Sequence, residues 1–125
     1  MASRITAWAI DCRDGHVLAD FWTAVLGWVI TESDEDGSVT IKPSPDAAGG
    51  IDFLVVPDDR KRMKNRVHLD LSPTDCDQDA ELARLQSLGA RSVDIGQGDV
   101  SWHVLADPEG NEFCLLRRRV VPETA

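Results

Sequence analysis

The pattern of hydrophobic and polar positions along the chain occurs twice, once in each half. In the first half, RITAWAIDCRD is a short apolar run that ends in aspartate, which predicts a strand. HVLADFWTAVLG then spaces its apolar residues three and four apart, which predicts an amphipathic helix at about residues 15–26. The runs WVITES, SVTIKP and GIDFLVVP are bounded by turn residues and predict three further strands.

The second half follows the same order. RVHLDLS alternates like a strand, and DAELARLQSLG predicts a helix at about residues 77–88. RSVDIG, SWHVLAD and NEFCLLR predict three more strands, so both halves have the order βαβββ. The expected helix-capping residues are Asp14 and Gly27 for the first helix, and Asp75 or Asp77 with Gly89 for the second. Each helix covers one face of its sheet, and the other faces can then enclose a cleft.

The length of the chain predicts a single domain made of these two modules. We expect module one at about residues 4–57 and module two at about residues 66–118 of a domain that spans residues 1–125. Between them, PDDRKRMKNR has mixed charge and no apolar period, which predicts a solvated linker at about residues 58–65.

The net charge of the chain limits the classes of partner that it is expected to bind. Lys and Arg number 13 and Asp and Glu number 22, which gives a net charge of −9. A negative field of this size argues against nucleic acid and anionic membranes, and it attracts cationic ligands. The three cysteines form no CxxC pair, and neither a signal-peptide pattern nor a membrane-length apolar run is present. These features predict a cytoplasmic protein with free thiols.

Polar, ligand-capable groups share faces of strands that otherwise belong to the core. Successive side chains of a strand point to opposite faces, so residues two apart lie on the same face. Glu112 therefore shares a face with Cys114 and is expected to point into the cleft, while Phe113 and Leu115 pack under the helices. The same alternation groups further candidates: Asp52 with Leu54, and Arg66 and Asp70 with His68. Trp102 is expected either to line the pocket or to pack in the core.

Three segments, DFWTAVLGW, KNRVHLDL and DPEGNEFCLL, together resemble the vicinal oxygen chelate superfamily. This group contains glyoxalases, extradiol dioxygenases, and fosfomycin- and bleomycin-resistance proteins. The resemblance extends from Ile5 to about Arg117 and implies an α+β fold: two βαβββ modules forming a U-shaped, partly open mixed sheet around a cleft. It also implies a homodimer, which would cover the free edges of the sheets.

The resemblance further implies a divalent metal, held by one ligand from the first strand and one from the last strand of each module. The matching positions are Ala7, Leu54, His68 and Cys114. Ala7 and Leu54 cannot bind a metal, so we favour a protein without one. If a metal is present, the expected ligands are His68, Glu112 and Cys114, which suit zinc better than magnesium or manganese. Without it, we expect His68 to hydrogen-bond an acidic neighbour and Glu112 to pair with Arg66 or His68.

Two functions from different classes follow. The first is a metal-free pocket that binds a small organic molecule, and the resemblance to bleomycin-binding members implies a cationic or aromatic ligand. The second is a lyase, isomerase or dioxygenase that depends on a divalent metal such as zinc, nickel, iron or manganese. A domain with a vestigial pocket is a third alternative. The candidate ligand-binding residues are Ala7, Asp52, Leu54, Arg66, His68, Asp70, Trp102, Glu112 and Cys114.

Overall fold

A computed structural model describes residues 2–57 and 63–122. These residues form two compact units, one on each side of residues 58–62. Most of the predicted linker at 58–65, and the ends of the predicted domain 1–125, lie outside the described residues. None of the described helices is long and apolar enough to cross a membrane.

The first unit is a βαβββ module. Its elements are β1 (Ala7–Cys12), α1 (Gly15–Leu26), β2 (Val29–Ser33), β3 (Val39–Lys42) and β4 (Gly50–Val55). The four strands form one sheet in the order β1-β4-β3-β2. β1 runs parallel to β4, whereas β2 and β3 are antiparallel to their neighbours, so the sheet is mixed.

Local capping sets the bounds of α1. The Asp14 carboxylate accepts a hydrogen bond of 3.1 Å from the backbone N–H of Val17 and so satisfies one of the free donors of the first turn. Gly27 adopts a left-handed conformation at φ 71°, and its N–H donates to the Thr23 carbonyl at 2.8 Å. The helix packs its apolar stripe, which includes the fully buried Trp22, against the sheet. The predicted helix at 15–26 is therefore confirmed.

The second unit repeats the order of elements with shorter strands. Its elements are β5 (Asp70–Leu71), α2 (Gln78–Ser87), β6 (Arg91–Ser92), β7 (His103–Ala106) and β8 (Glu112–Leu115). The strand order is β5-β8-β7-β6, with β5 parallel to β8. Of the two candidate caps for α2, Asp77 is the one used, and its carboxylate accepts from the N–H of Ala80 at 2.8 Å. The prediction of an α+β fold with two βαβββ modules is confirmed.

The first strand of the second module is shorter than predicted. RVHLDLS predicted a strand over residues 66–72, but regular pairing covers Asp70 and Leu71 alone. Upstream, the Asn65 side chain takes the place of a strand: its Oδ1 accepts from the Glu112 N–H at 2.9 Å, and its Nδ2 donates to the carbonyls of Glu112 and Val67. Because the Asn65 side chain satisfies the backbone of Glu112, backbone bonding to β8 begins at Leu69, whose carbonyl accepts from the Cys114 N–H at 2.9 Å.

A buried aspartate fixes the turn between β7 and β8. Asp107 has no exposed surface, and its carboxylate accepts from the backbone N–H groups of Glu109 and Asn111 at 2.9 and 3.0 Å. Gly110 supplies the positive φ of 87° that the turn needs. This turn sets the antiparallel register that places Cys114 opposite Val104.

Candidate functional site

The sheet of module one has one covered and one open face. Helix α1 packs on β3 and β4, where Val39, Ile41, Ile51 and Phe53 are buried. The alternating residues of β4, Asp52 and Leu54, point the other way. In the parallel register, Ala9 lies beside Asp52 and Asp11 lies beside Leu54, so the open face also carries Ala7.

The open face of module one contains a cleft of about 400 Å³. Ala7 and Asp52, two of the predicted site residues, contribute to its walls, whereas Leu54 does not and is 39% exposed. Two carboxylates and one ammonium group stand among threonine hydroxyls, so the walls are polar. The cleft is lined by Thr6, Ala7, Thr31, Glu32, Thr40, Lys42, Pro45, Gly50 and Asp52.

A β-bulge in β2 shapes this cleft. Ile30 pairs with Ile41 and Glu32 with Thr40, so Thr31 is an extra residue in β2. In a regular strand two consecutive side chains point to opposite faces. Here Thr31 and Glu32 both line the cleft. Sequence reasoning missed both residues, because the run WVITES contains no glycine or other signal that marks a bulge.

Asp52 is held in place by its neighbour on β3. The Thr40 hydroxyl donates a hydrogen bond of 2.7 Å to Asp52 Oδ1. The two residues are also cross-strand partners in the antiparallel register. A carboxylate oriented in this way presents its second oxygen, Oδ2, in a defined direction, as a binding site requires.

Module two brings three ligand-capable side chains together. Asp70 and Cys114 are partners in the parallel pair β5–β8, and His68 Nε2 lies 3.1 Å from Asp70 Oδ1. One ligand atom of each residue lies within 4.8 Å of the other two. The side chains of His68 and Asp70 are 43% and 51% exposed, whereas Cys114 is 7% exposed. The group is thus open to solvent on one side and has the thiol at its base.

The thiol at the base of the group is protonated at neutral pH. Burial raises the pKa of Cys114, and the negative charge of Asp70 and a hydrogen bond to its carboxylate raise it further. The positive charge of Lys64 opposes these effects. A metal would have to displace the proton of Cys114.

The structure groups His68 and Cys114 with a different carboxylate from the one in the predicted ligand set. The expected ligand set of His68, Glu112 and Cys114 is replaced by a group with Asp70 in the place of Glu112. His68, as expected, contacts an acidic neighbour, which is Asp70. The reason lies in the parallel register: Asp70 stands directly beside Cys114, whereas Glu112 lies one strand repeat away, with its backbone bound to Asn65.

Other predicted residues do not join either group. Arg66 is exposed, and Trp102 lies in the bend before β7 and is 40% exposed. His103 lines a separate groove of about 500 Å³ in module two, together with Asp77, Gln78, Asp79, Val100, Ser101, Arg117 and Arg119. The prediction that Phe113 and Leu115 belong to the core is in agreement with their burial.

The donor set of module two fits a metal ion only in part. Imidazole, carboxylate and thiolate together suit zinc, and three protein ligands are the minimum of a catalytic zinc site. His68, Asp70 and Cys114 would hold the ion, which would act as a Lewis acid when bound. In module one, Asp11 beside Leu54 takes the place of Asp70 beside Cys114, and Leu54 offers no donor atom where module two has the thiol.

The repeated βαβββ modules define a protein of the vicinal oxygen chelate superfamily. The model of the glyoxalase-like domain family matches residues 7–116, and the chain belongs to this family. No curated protein matches the chain. The resemblance seen in the sequence is therefore confirmed.

Solved structures share the fold at low sequence identity. The fosfomycin resistance protein FosX from Mesorhizobium loti is 12% identical over 92% of both chains, with a TM-score of 0.67. A FosX variant from Listeria monocytogenes, complexed with Mn(II) and 1S,2S-dihydroxypropylphosphonic acid, is 15% identical over 93% of this chain and 90% of that chain, also with a TM-score of 0.67. A glyoxalase/bleomycin resistance protein/dioxygenase family enzyme from Burkholderia phytofirmans PsJN is 18% identical over 88% and 94%, with a TM-score of 0.64.

Proposed function

We propose that this protein binds a small organic molecule in the open-face cleft of module one, without a resident metal. One observation carries the proposal: Ala7 opens onto a cleft of about 400 Å³ at a position where the superfamily resemblance places a metal ligand. That volume lies within the range of small-molecule sites. A methyl group at this position leaves room for ligand atoms and offers no metal donor.

The polar groups of the cleft are suited to orient a ligand. Thr40 fixes Asp52, so the carboxylate loses little conformational freedom when a ligand binds. Glu32 and Lys42 place charges of opposite sign on the same walls. A ligand with complementary hydrogen-bonding groups would be held in one orientation.

A ligand screen against the untagged protein tests this function. Thermal-shift measurements with a library of small organic compounds are expected to show stabilisation by a subset, because a ligand that binds the folded state raises the melting temperature. Ala7→Phe fills the cleft and should abolish the shift, while Ala83→Phe on the exposed side of α2 is the matched control and should preserve it. A shift that survives Ala7→Phe, or a library without hits, would contradict the proposal.

We also propose that two copies of the chain associate. β1 is an edge strand of the first sheet, and Ile5 just before it and Trp8 within it are 68% and 53% exposed. An exposed edge flanked by large apolar side chains is normally covered. Light scattering should give the mass of a dimer, and Trp8→Asp should shift it to that of a monomer. A wild-type monomer at micromolar concentration would exclude this arrangement.

We further propose that the chain resides in the cytoplasm. The three cysteines, Cys12, Cys76 and Cys114, are free thiols, which suits the reducing cytoplasm. Fluorescence microscopy of the tagged chain would test this directly.

A second candidate function is a metal-dependent enzyme of the superfamily, favoured by the group of His68, Asp70 and Cys114. Elemental analysis of the untagged protein decides between the two functions. Zinc near one equivalent per chain, lost in His68→Ala and Asp70→Asn, would support the enzyme. Glu112→Ala is the matched control, because this carboxylate lies on the same strand outside the group. Zinc affinity should rise with pH, since the Cys114 proton must leave.

A further inference from the structure

We infer that the cleft of module one selects a hydroxyl-rich ligand that carries an amine, such as an aminosugar ring, rather than an aromatic compound. The inference rests on the proposed binding function and narrows its ligand class. Three features of the cleft carry it: a buried hydroxyl, a pair of carboxylates, and walls formed by non-aromatic side chains.

The buried hydroxyl belongs to Thr31. Its Oγ1 has almost no solvent-accessible surface and no hydrogen-bond partner among residues 2–57 and 63–122. Buried polar atoms in native proteins are nearly always satisfied by protein, water or ligand. The β-bulge places this residue on the wall of the cleft. Because Oγ1 is closed off in the empty cleft, the Thr31 side chain would have to turn toward the ligand, whose hydroxyl could then both donate to Oγ1 and accept from it.

The carboxylates of Asp52 and Glu32 supply acceptors. Asp52 Oδ1 accepts from Thr40, and Oδ2 has no partner within the described part of the chain. A carboxylate oxygen accepts hydrogen bonds from hydroxyl or ammonium groups and cannot donate when ionised. With Lys42, the lining carries two negative charges and one positive charge. Its field therefore favours an amine over a neutral sugar, and a neutral sugar over a sugar acid.

The walls give an aromatic ligand little to stack on. None of the described residues that line the cleft is aromatic. Trp8 pairs with Ile51 and so lies on the opposite face of the sheet from Asp52. An apolar ring in the cleft would also desolvate the two carboxylates without replacing their hydrogen bonds to water. The aromatic ligand expected from the superfamily resemblance is therefore disfavoured at this cleft.

A titration followed by ¹⁵N–¹H correlation spectra tests the ligand class on the intact chain. The probes are D-glucosamine, D-glucose, D-glucuronic acid, cyclohexylamine and indole. Glucosamine should shift the amide signals of Thr31, Glu32 and Asp52 and bind more tightly than glucose. Cyclohexylamine, which keeps the charge without hydroxyls, should bind about tenfold more weakly, as should the sugar acid.

Two variants assign the binding to the named groups. Thr31→Val removes the hydroxyl at nearly constant volume and should weaken glucosamine binding about tenfold. Ser33→Ala removes a hydroxyl from the same strand outside the cleft, and it should leave binding unchanged. Equal binding of glucosamine to wild type and to Thr31→Val would overturn the role of the hydroxyl.

The outcomes separate this inference from the proposed function. Indole or cyclohexylamine binding the cleft as tightly as glucosamine would overturn the ligand class. The ligand class would also be overturned if no sugar probe shifted the spectrum at 50 mM while other library compounds bound and lost their binding in Ala7→Phe. In that case the proposed function would still stand. If neither the sugars nor the library bind, both fail.

Discussion

The two modules have one order of elements but very different degrees of burial. Helix α1 buries six residues, Gly15, Leu18, Ala19, Phe21, Trp22 and Val25. In helix α2, by contrast, the buried residue is Leu85. The first strand has six residues in module one and two in module two. A repeated pattern thus preserves topology, while packing is free to diverge, because topology needs only the period of the apolar residues.

The open faces of the two sheets also differ, but here the less packed module carries the ligand-capable side chains. Module one carries Leu54 beside Asp11 where module two carries Cys114 beside Asp70, so the thiol has no counterpart there. The strongly packed module therefore has a cleft with hydroxyl and carboxylate groups, and the less packed module has the residues that can bind a metal. This division leads us to expect that changes in module one affect folding most, while changes in module two affect reactivity.

The largest expected effect tests the asymmetry of packing. Trp22→Ala removes a fully buried indole that also contacts Phe21 in an edge-to-face arrangement, and it should lower the free energy of unfolding by about 3–5 kcal/mol. Leu82→Ala, half-buried on α2, is the comparison and should cost about 1 kcal/mol. Urea denaturation measures both. Equal losses would show that burial in the two helices contributes alike.

The next effect concerns the turn of module two. Asp107→Ala removes the carboxylate that accepts from the part-buried N–H groups of Glu109 and Asn111, which should cost about 1–3 kcal/mol of unfolding free energy. Asp107→Asn keeps one acceptor oxygen and should cost less. A loss as large as that of Trp22→Ala in the same denaturation experiment would mean that module two depends on this turn as module one depends on its core.

A smaller effect comes from the pKa of Cys114. Because this pKa is raised in the folded state, the thiol of the unfolded chain ionises first as pH increases. The contribution to stability is therefore complete below the ordinary thiol pKa and is lost as pH rises toward the folded pKa. Unfolding free energies measured between pH 7 and 10 should decline less steeply in Cys114→Ser than in wild type.

The raised pKa of Cys114 also predicts that this thiol is alkylated slowly at pH 8. Asp70→Asn removes the negative charge and should accelerate the reaction severalfold, as followed by peptide mass spectrometry. Cys76, whose pKa is raised by burial and by Glu81, provides the matched site, which Asp70→Asn should not affect. An unchanged rate at Cys114 would mean that burial alone controls its reactivity.

The smallest effect is expected at the pair of His68 and Asp70. Both side chains are about half exposed, and water screens such a pair strongly, so His68→Gln should change the unfolding free energy by less than about 1 kcal/mol. The variant should nevertheless abolish any zinc binding. A loss of several kcal/mol would contradict the assignment of this group to reactivity rather than to folding.

How far the sequence predicted the fold depends on how local each signal is. The bounds of α1 were predictable because Asp14 and Gly27 act on backbone groups within one helical turn. The length of β5 was not, because Asn65 binds the backbone of Glu112, 47 positions away. The spacing of hydrophobic residues along the sequence does not indicate such a long-range contact.

The candidate site was predictable to the same extent. Alternation along each strand grouped Asp52 with Leu54, and Asp70 with His68, on common faces. It could not choose between Asp70 and Glu112 as the neighbour of Cys114, because that choice depends on the offset between two parallel strands. The bulge at Thr31 arises in the same way, from pairing with a partner strand.

That bulge also bears on how the protein stays in solution. β2 is the second edge strand of the first sheet, and a regular edge offers an uninterrupted row of N–H and C=O groups to other chains. The extra residue breaks this row and increases the local twist, so a foreign strand cannot add along the whole edge. Deleting Thr31 would restore a continuous template, and we expect this variant to pair edge to edge with other chains more readily than the wild type does.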